Sequence, residues 1–143
     1  MTPRRVDGER GASIVELSVL GTLIFGVLVQ AIVLFGTLHR ATLATSAAAR
    51  ELGRVVVLAD SEQEATMHGA QVVEQAARNH GMPAGSLRLA VEGRRGRGEL
   101  LRVRVATTVP VVRIPFVGAV LPGLAVPVEA THVVMVDRYR SAP

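Results

Sequence analysis

The residues best placed to do chemistry stand at one junction, Arg10-Gly11-Ala12-Ser13-Ile14-Val15-Glu16, which runs straight into an uncharged stretch at residues 17–38. An ionised group costs about 2.5–3.5 kcal/mol at the centre of a membrane helix and less near its ends. On position alone, Glu16 is a boundary residue that reaches toward water. Its spacing from Gly11 gives it a second use. Were the chain cut after Gly11, Ala12 would become the terminus, and Glu16 would stand one helical turn, about 6 Å, along the axis. A free ammonium and a carboxylate at that separation can neutralise each other across neighbouring packed helices. Because an unpaired charge is costly in a low-dielectric setting, such a pairing would specify register.

Little else in the sequence points to catalysis. His39, His68, His80 and His132 show neither His-x-x-x-His nor His-Glu-x-x-His spacing, and there is no nucleophile motif or phosphate-binding glycine loop. Cysteine is absent, so disulfides and thiolate metal sites are excluded. The expectation is a non-enzymatic protein that needs no metal and no cofactor. The formal net charge of +4 arises from 16 basic residues interleaved with 12 acids, without a basic stripe, and aromatics make up only 3%. Nucleic acid is therefore not an expected partner. Every basic residue is Arg, and with so much Ala, Gly and Val the composition is that of a GC-rich bacterial genome.

The elements that must position this junction are legible from hydropathy. Residues 1–11 are polar, contain Pro3 and two glycines, and read as a tail. Residues 17–38, as a helix, would be about 33 Å long at ~1.5 Å per residue, which matches a hydrocarbon core of ~30 Å. A transmembrane helix is expected there, with membrane lipid as a partner. Charge does not orient it, because Arg4, Arg5 and Arg10 before the span balance Arg40, Arg50 and Arg54 after it. A signal peptide cut within Thr45-Ser46-Ala47-Ala48-Ala49 is an alternative, although signal-peptide apolar cores run only ~7–15 residues.

Beyond the span, residues 39–58 continue the helix as a stalk, with Leu43, Ala44, Ala47, Ala48, Leu52 and Val55 approximating one stripe. Ser61 and Glu64 form a capping box for a second helix, whose narrow face is Ala65, Gly69, Val72, Val73, Ala76 and Ala77. Gly81 and Pro83 end it, and it should pack on a sheet or, alternatively, on the stalk. Strand alternation follows at Leu87, Leu89 and Val91, then at Leu101, Val103, Val105, Thr107 and Val109. Gly93-Arg94-Arg95-Gly96-Arg97-Gly98 reads as the hairpin connection between them. Residues 110–124 are apolar but hold three prolines and Arg113, so they do not span. They form either a loop over the core or a patch that meets the membrane surface or another subunit. A last strand runs through 126–139, with Val126, Val128, Ala130, Val134 and Val136 on one parity and His132 breaking it.

The junction also carries a resemblance. An Arg-containing leader, Gly11 before a small residue, Glu16 and an unbroken apolar helix resemble a type IV prepilin signal. Glu9-Arg10-Gly11-Ala12-Ser13-Ile14-Val15-Glu16-Leu17 is similar to the start of TadE-like proteins, the minor-pilin-like family of tight-adherence pilus systems. Ala47-Ala48-Ala49-Arg50-Glu51-Leu52-Gly53-Arg54-Val55 resembles that family's segment after the membrane, with Leu52 as an extra residue, and Thr108-Val109-Pro110 extends the likeness. The resemblance implies cleavage between Gly11 and Ala12 by a prepilin peptidase at the cytoplasmic face, and Glu16 as an assembly determinant. It also implies an outward-facing C-terminal part, other pilins and pilus assembly proteins as partners, and a place in a pilus or secretion filament. Ala12 stands where many type IV pilins carry Phe.

The expected fold is α+β: a leader at 1–11, a transmembrane and stalk helix at 12–58, and an outer domain at 59–143 in which a second helix packs on a small three-stranded antiparallel sheet. The alternative to a pilus component is an uncleaved single-pass anchor that presents a small extracytoplasmic binding module. A third reading is an exported soluble protein.

Overall fold

The computed structural model describes residues 7–94, 96, 98–111 and 124–136, with side chains from residue 13 onward. Its first element, α1, is a single 52-residue helix, Asp7–Leu58, about 78 Å long at ~1.5 Å per residue. It starts five residues ahead of the expected Ala12 and so enters the segment read as a tail. Once a helix is nucleated, each added residue gains a hydrogen bond for little further ordering, so a polar stretch can extend one that already exists. The architecture is α+β as expected.

The most apolar window of α1 has mean hydropathy 2.4 and no residue covered by the rest of the chain. Residues 13–28 are exposed all round. A helix that is apolar on every side belongs inside a large core or a membrane. Here no core surrounds it, and the helix is long and apolar enough to cross a membrane.

Further along, α1 acquires a buried face of Ala41, Ala44, Thr45, Ala48, Ala49, Leu52 and Val56. These positions follow the three-and-four spacing of one helical face. The stripe expected from hydrophobicity was centred differently: Leu43 is exposed, and Ala47 and Val55 are only half-buried. The face that packs is set by which side chains are small enough for close approach, and alanines win over Leu43.

The second helix, α2, spans Glu62–Asn79. Its start is the expected capping arrangement: the Glu64 N–H donates to Ser61 Oγ at 3.1 Å. Glu64 Oε2 in turn accepts from the Asp60 N–H at 2.9 Å, one residue earlier than in the usual reciprocal box. Gly81, at φ +63°, closes the other end. The Gly81 N–H donates to the Arg78 carbonyl and the Met82 N–H to the Ala77 carbonyl, the pattern of a Schellman cap. Met82 then packs against the core that holds Ala77.

Strands β1 (Arg88–Glu92), β2 (Leu100–Pro110) and β3 (Ala125–Met135) form an antiparallel sheet in the order β1-β2-β3. The inner face of β2 is Leu101, Val103, Val105, Thr107 and Val109, all buried. On β3 the half-buried parity runs Val126, Val128, Ala130, His132 and Val134, with His132 opposite Val103. His132 therefore does not break the inner face, because Gly53 makes room for it. A Cβ at Gly53 would lie 3.0 Å from His132 Cδ2 and 2.9 Å from Val134 Cγ1.

The layering differs from expectation in one respect. It is α1 that covers β2 and β3, while α2 packs principally on α1 and reaches the shared core through Val73, Ala76 and Ala77. Gly69 fixes this choice: a Cβ there would sit 2.7 Å from Leu52 Cδ1, so Leu52 fits only because that surface of α2 is bare. The expected end strand stops at Met135, and the Arg138-Tyr139-Arg140 end lies outside the described residues.

Leu52 is thus the keystone of the core. Leu52→Ala should destabilise the domain by about 2–5 kcal/mol, whereas Leu43→Ala should change stability by no more than about 0.5 kcal/mol. Both are measurable as loss of hydrogen-exchange protection at β2 amides of the detergent-solubilised chain. By the same readout, Gly53→Ile should cost about 1–3 kcal/mol through overpacking. Adding Val134→Ala should return part of that loss, since the two side chains compete for one space.

Candidate functional site

The junction lies within α1. Gly11 and Ala12 both have helical backbone, and the Ala12 side chain lies outside the described residues. Four residues on, Glu16 is exposed. Along the axis that spacing is one turn, about 6 Å, so backbone geometry puts the Ala12 nitrogen and the Glu16 carboxylate on the same side of the helix. In the uncut chain that nitrogen is a neutral amide. It becomes an ammonium only if the Gly11–Ala12 bond is broken. Gly8 and Gly11 each weaken a helix interior by about 1 kcal/mol relative to Ala. Among the described residues the Glu16 carboxylate has no hydrogen-bond or ion-pair partner.

Following Glu16, the few polar side chains are spent internally. The hydroxyls of Ser18, Thr22 and Thr37 donate to the carbonyls of Ile14, Ser18 and Val33, each at 2.8 Å. Such back-bonding lets hydroxyls sit in lipid without an unmet donor. Gly21, Gly26 and Gly36 have open space where a Cβ would be. The one amide in the run, Gln30, reaches out of the helix, and its Nε2 donates to the Val111 carbonyl at 2.8 Å. That bond ties the end of the sheet to α1 well before the apolar run is over.

Other sequence candidates fall apart in space. His39 is exposed and stacks on Phe35 with ring centroids 6.5 Å apart. His68 is exposed, His80 is the C-cap of α2, and His132 faces Gly53. Among the described residues no group of three or more His, Asp or Glu could hold a metal ion. Beyond the domain core, Arg54 pairs with Glu51 across one turn, both partly exposed. The hydrogen bonds that Arg54 donates to the Glu51 carboxylate, and then the charge of that carboxylate, hold the Arg54 guanidinium above its already high ordinary value. It stays cationic, and as a surface pair it does little for stability. Arg94 is exposed on the hairpin, while Arg95 and Arg97 lie outside the described residues.

Sequence reasoning missed the joint at Gln30. Its signal was that a lone amide among 22 uncharged residues must find a partner if it is to sit in or near hydrocarbon. It also missed Thr45, which is fully buried with its hydroxyl donating to the Ala41 carbonyl at 2.9 Å. No protein-family model matches this chain, and no curated protein or solved structure matches it.

Proposed function

We propose that this chain is a non-enzymatic component of a tight-adherence type IV pilus or secretion system, acting as a minor pilin or assembly factor. On this reading a prepilin peptidase removes residues 1–11, and α1 holds the product in the cytoplasmic membrane. The N-terminus is cytoplasmic and the domain extracytoplasmic. The observation that supports it best is the continuity of α1. One helix carries the Gly11-Ala12 junction, Glu16, an uncovered apolar stretch at 13–28 and the buried face that builds the domain core.

Cleavage would create an ammonium one turn from Glu16. At the edge of the lipid, each charge gains from an opposite partner, and a neighbouring helix offers one only at a particular vertical offset. Because α1 is continuous with the core, fixing that offset would also fix the height of the domain. The partners on this account are membrane lipid, the peptidase, other pilins and the pilus assembly proteins.

Two other readings use the same helix. An uncleaved anchor presenting a small binding module would insert equally well but would leave Glu16 without the ammonium. An exported protein cut within Thr45-Ser46-Ala47-Ala48-Ala49 would be severed through the core, since Thr45, Ala48 and Ala49 are all buried against the rest of the domain. The continuity of the core face favours the pilus reading over this one.

The test separates insertion from assembly. Glu16→Leu and Glu16→Gln should leave the chain in the membrane fraction and resistant to carbonate extraction. Both should sharply reduce its recovery with partner pilins in sheared or affinity-purified filament material. Unchanged co-recovery of both variants would refute the charge-pairing role of Glu16.

A further inference from the structure

The lower end of the sheet reaches α1 too early to stand clear of a bilayer. If the hydrocarbon begins just after Glu16, Gln30 lies only about 20 Å along α1, still inside a core of ~30 Å. Tilting the helix would carry Gln30 deeper, not out. Sliding the helix outward until Gln30 reached the far boundary would draw Glu16 about 9 Å into the hydrocarbon, at a cost of order 2.5–3.5 kcal/mol toward the centre. Arg40 marks the water-facing side. It is the first charge after the run, and its Nε donates back to the Gly36 carbonyl at 3.3 Å, so the headgroup level belongs near residues 36–40, above Gln30.

The part of the domain at that level is built for an apolar neighbour. Gln30 Nε2 donates to the Val111 carbonyl at 2.8 Å, and the Val111 N–H donates to the Leu124 carbonyl at 2.9 Å. Pro110, Pro127 and Pro83 stand at the same end and bring no N–H groups at all. Backbone can enter lipid only when its donors and acceptors are met internally, and the Val111 N–H and C=O are both met in this way. Leu124 is 57% exposed there. Residues 112–123 lie outside the described residues.

We propose that the sheet end formed by Pro110, Val111 and Leu124 is a membrane-docking surface, seated below the headgroup level of the same bilayer that α1 crosses, with lipid acyl chains as its partner. The inference rests on the reading that α1 spans a bilayer and is independent of cleavage and of the pilus. Docking at this second point would restrain rotation of the domain about α1 and keep one face of the helix covered.

The chain has no cysteine, so single-cysteine labelling is clean. Leu124→Cys, Leu23→Cys and Met67→Cys each replace an exposed side chain and should leave the core intact. Each full-length variant is labelled with an environment-sensitive fluorophore and reconstituted in phosphatidylethanolamine–phosphatidylglycerol vesicles. Vesicles containing shallow spin-labelled lipid then serve as quencher. The labels at positions 23 and 124 should both lose intensity, and the label on Met67→Cys should not. Quenching at position 23 with none at position 124 overturns the docking surface while leaving the span intact. A blue-shifted but unquenched label at position 124 also overturns it, in favour of a second copy of the chain as the occupant. Absence of quenching at position 23 overturns the span and this inference together.

Discussion

Everything in this structure depends on the close seating of the α1 face against β2 and β3. Three strands expose two faces, and one must be covered for the sheet to persist. The cover is Ala41, Ala44, Thr45, Ala48, Ala49, Leu52 and Val56, a face made almost flat by its small side chains. Flatness permits close approach, and it leaves Leu101, Val103 and Val105 of β2 to supply most of the bulk. Gly53 and Gly69 extend the same logic to His132 and Leu52, which occupy space that any side chain at either glycine would take.

Because the cover is the continuation of the apolar helix, anchor and domain are one body. A chain with a flexible linker between span and domain would let each act alone. Here Gln30 is hydrogen-bonded to Val111, and the buried face begins at Ala41, so a shift or rotation of the helix moves the domain with it. On the proposed reading this is what converts a charge contact near Ala12 and Glu16 into a defined position of the outer domain. The same coupling makes the lipid-level end of the sheet a second point of reference.

The sequence made some of this plain and hid the rest for identifiable reasons. Hydropathy marked residues 17–38, period-two alternation marked β2, and Ser61 with Glu64 marked the start of α2, because each is a local signal carried by neighbouring residues. The partner of α2 was not local. It turned on Gly69 facing Leu52, and glycine in a helix announces a close approach without naming what approaches. His132 looked like a break in the inner face of β3 because its accommodation lies at Gly53, 79 positions away in sequence. Gln30 was visible as the only amide in the run, but its acceptor is a backbone carbonyl, which no residue type reveals. The Gly11, Ala12 and Glu16 spacing was fully legible, whereas the chemistry it serves depends on a bond being cut.

The most direct measurement is therefore intact-mass and N-terminal peptide mass spectrometry of the protein purified from its native membrane. The account predicts a chain that begins at Ala12, with the mass of residues 12–143. A chain that still begins at Met1 or Thr2 would contradict processing and leave a simple anchor, and one that begins near Ala48 would contradict the membrane-anchored account altogether.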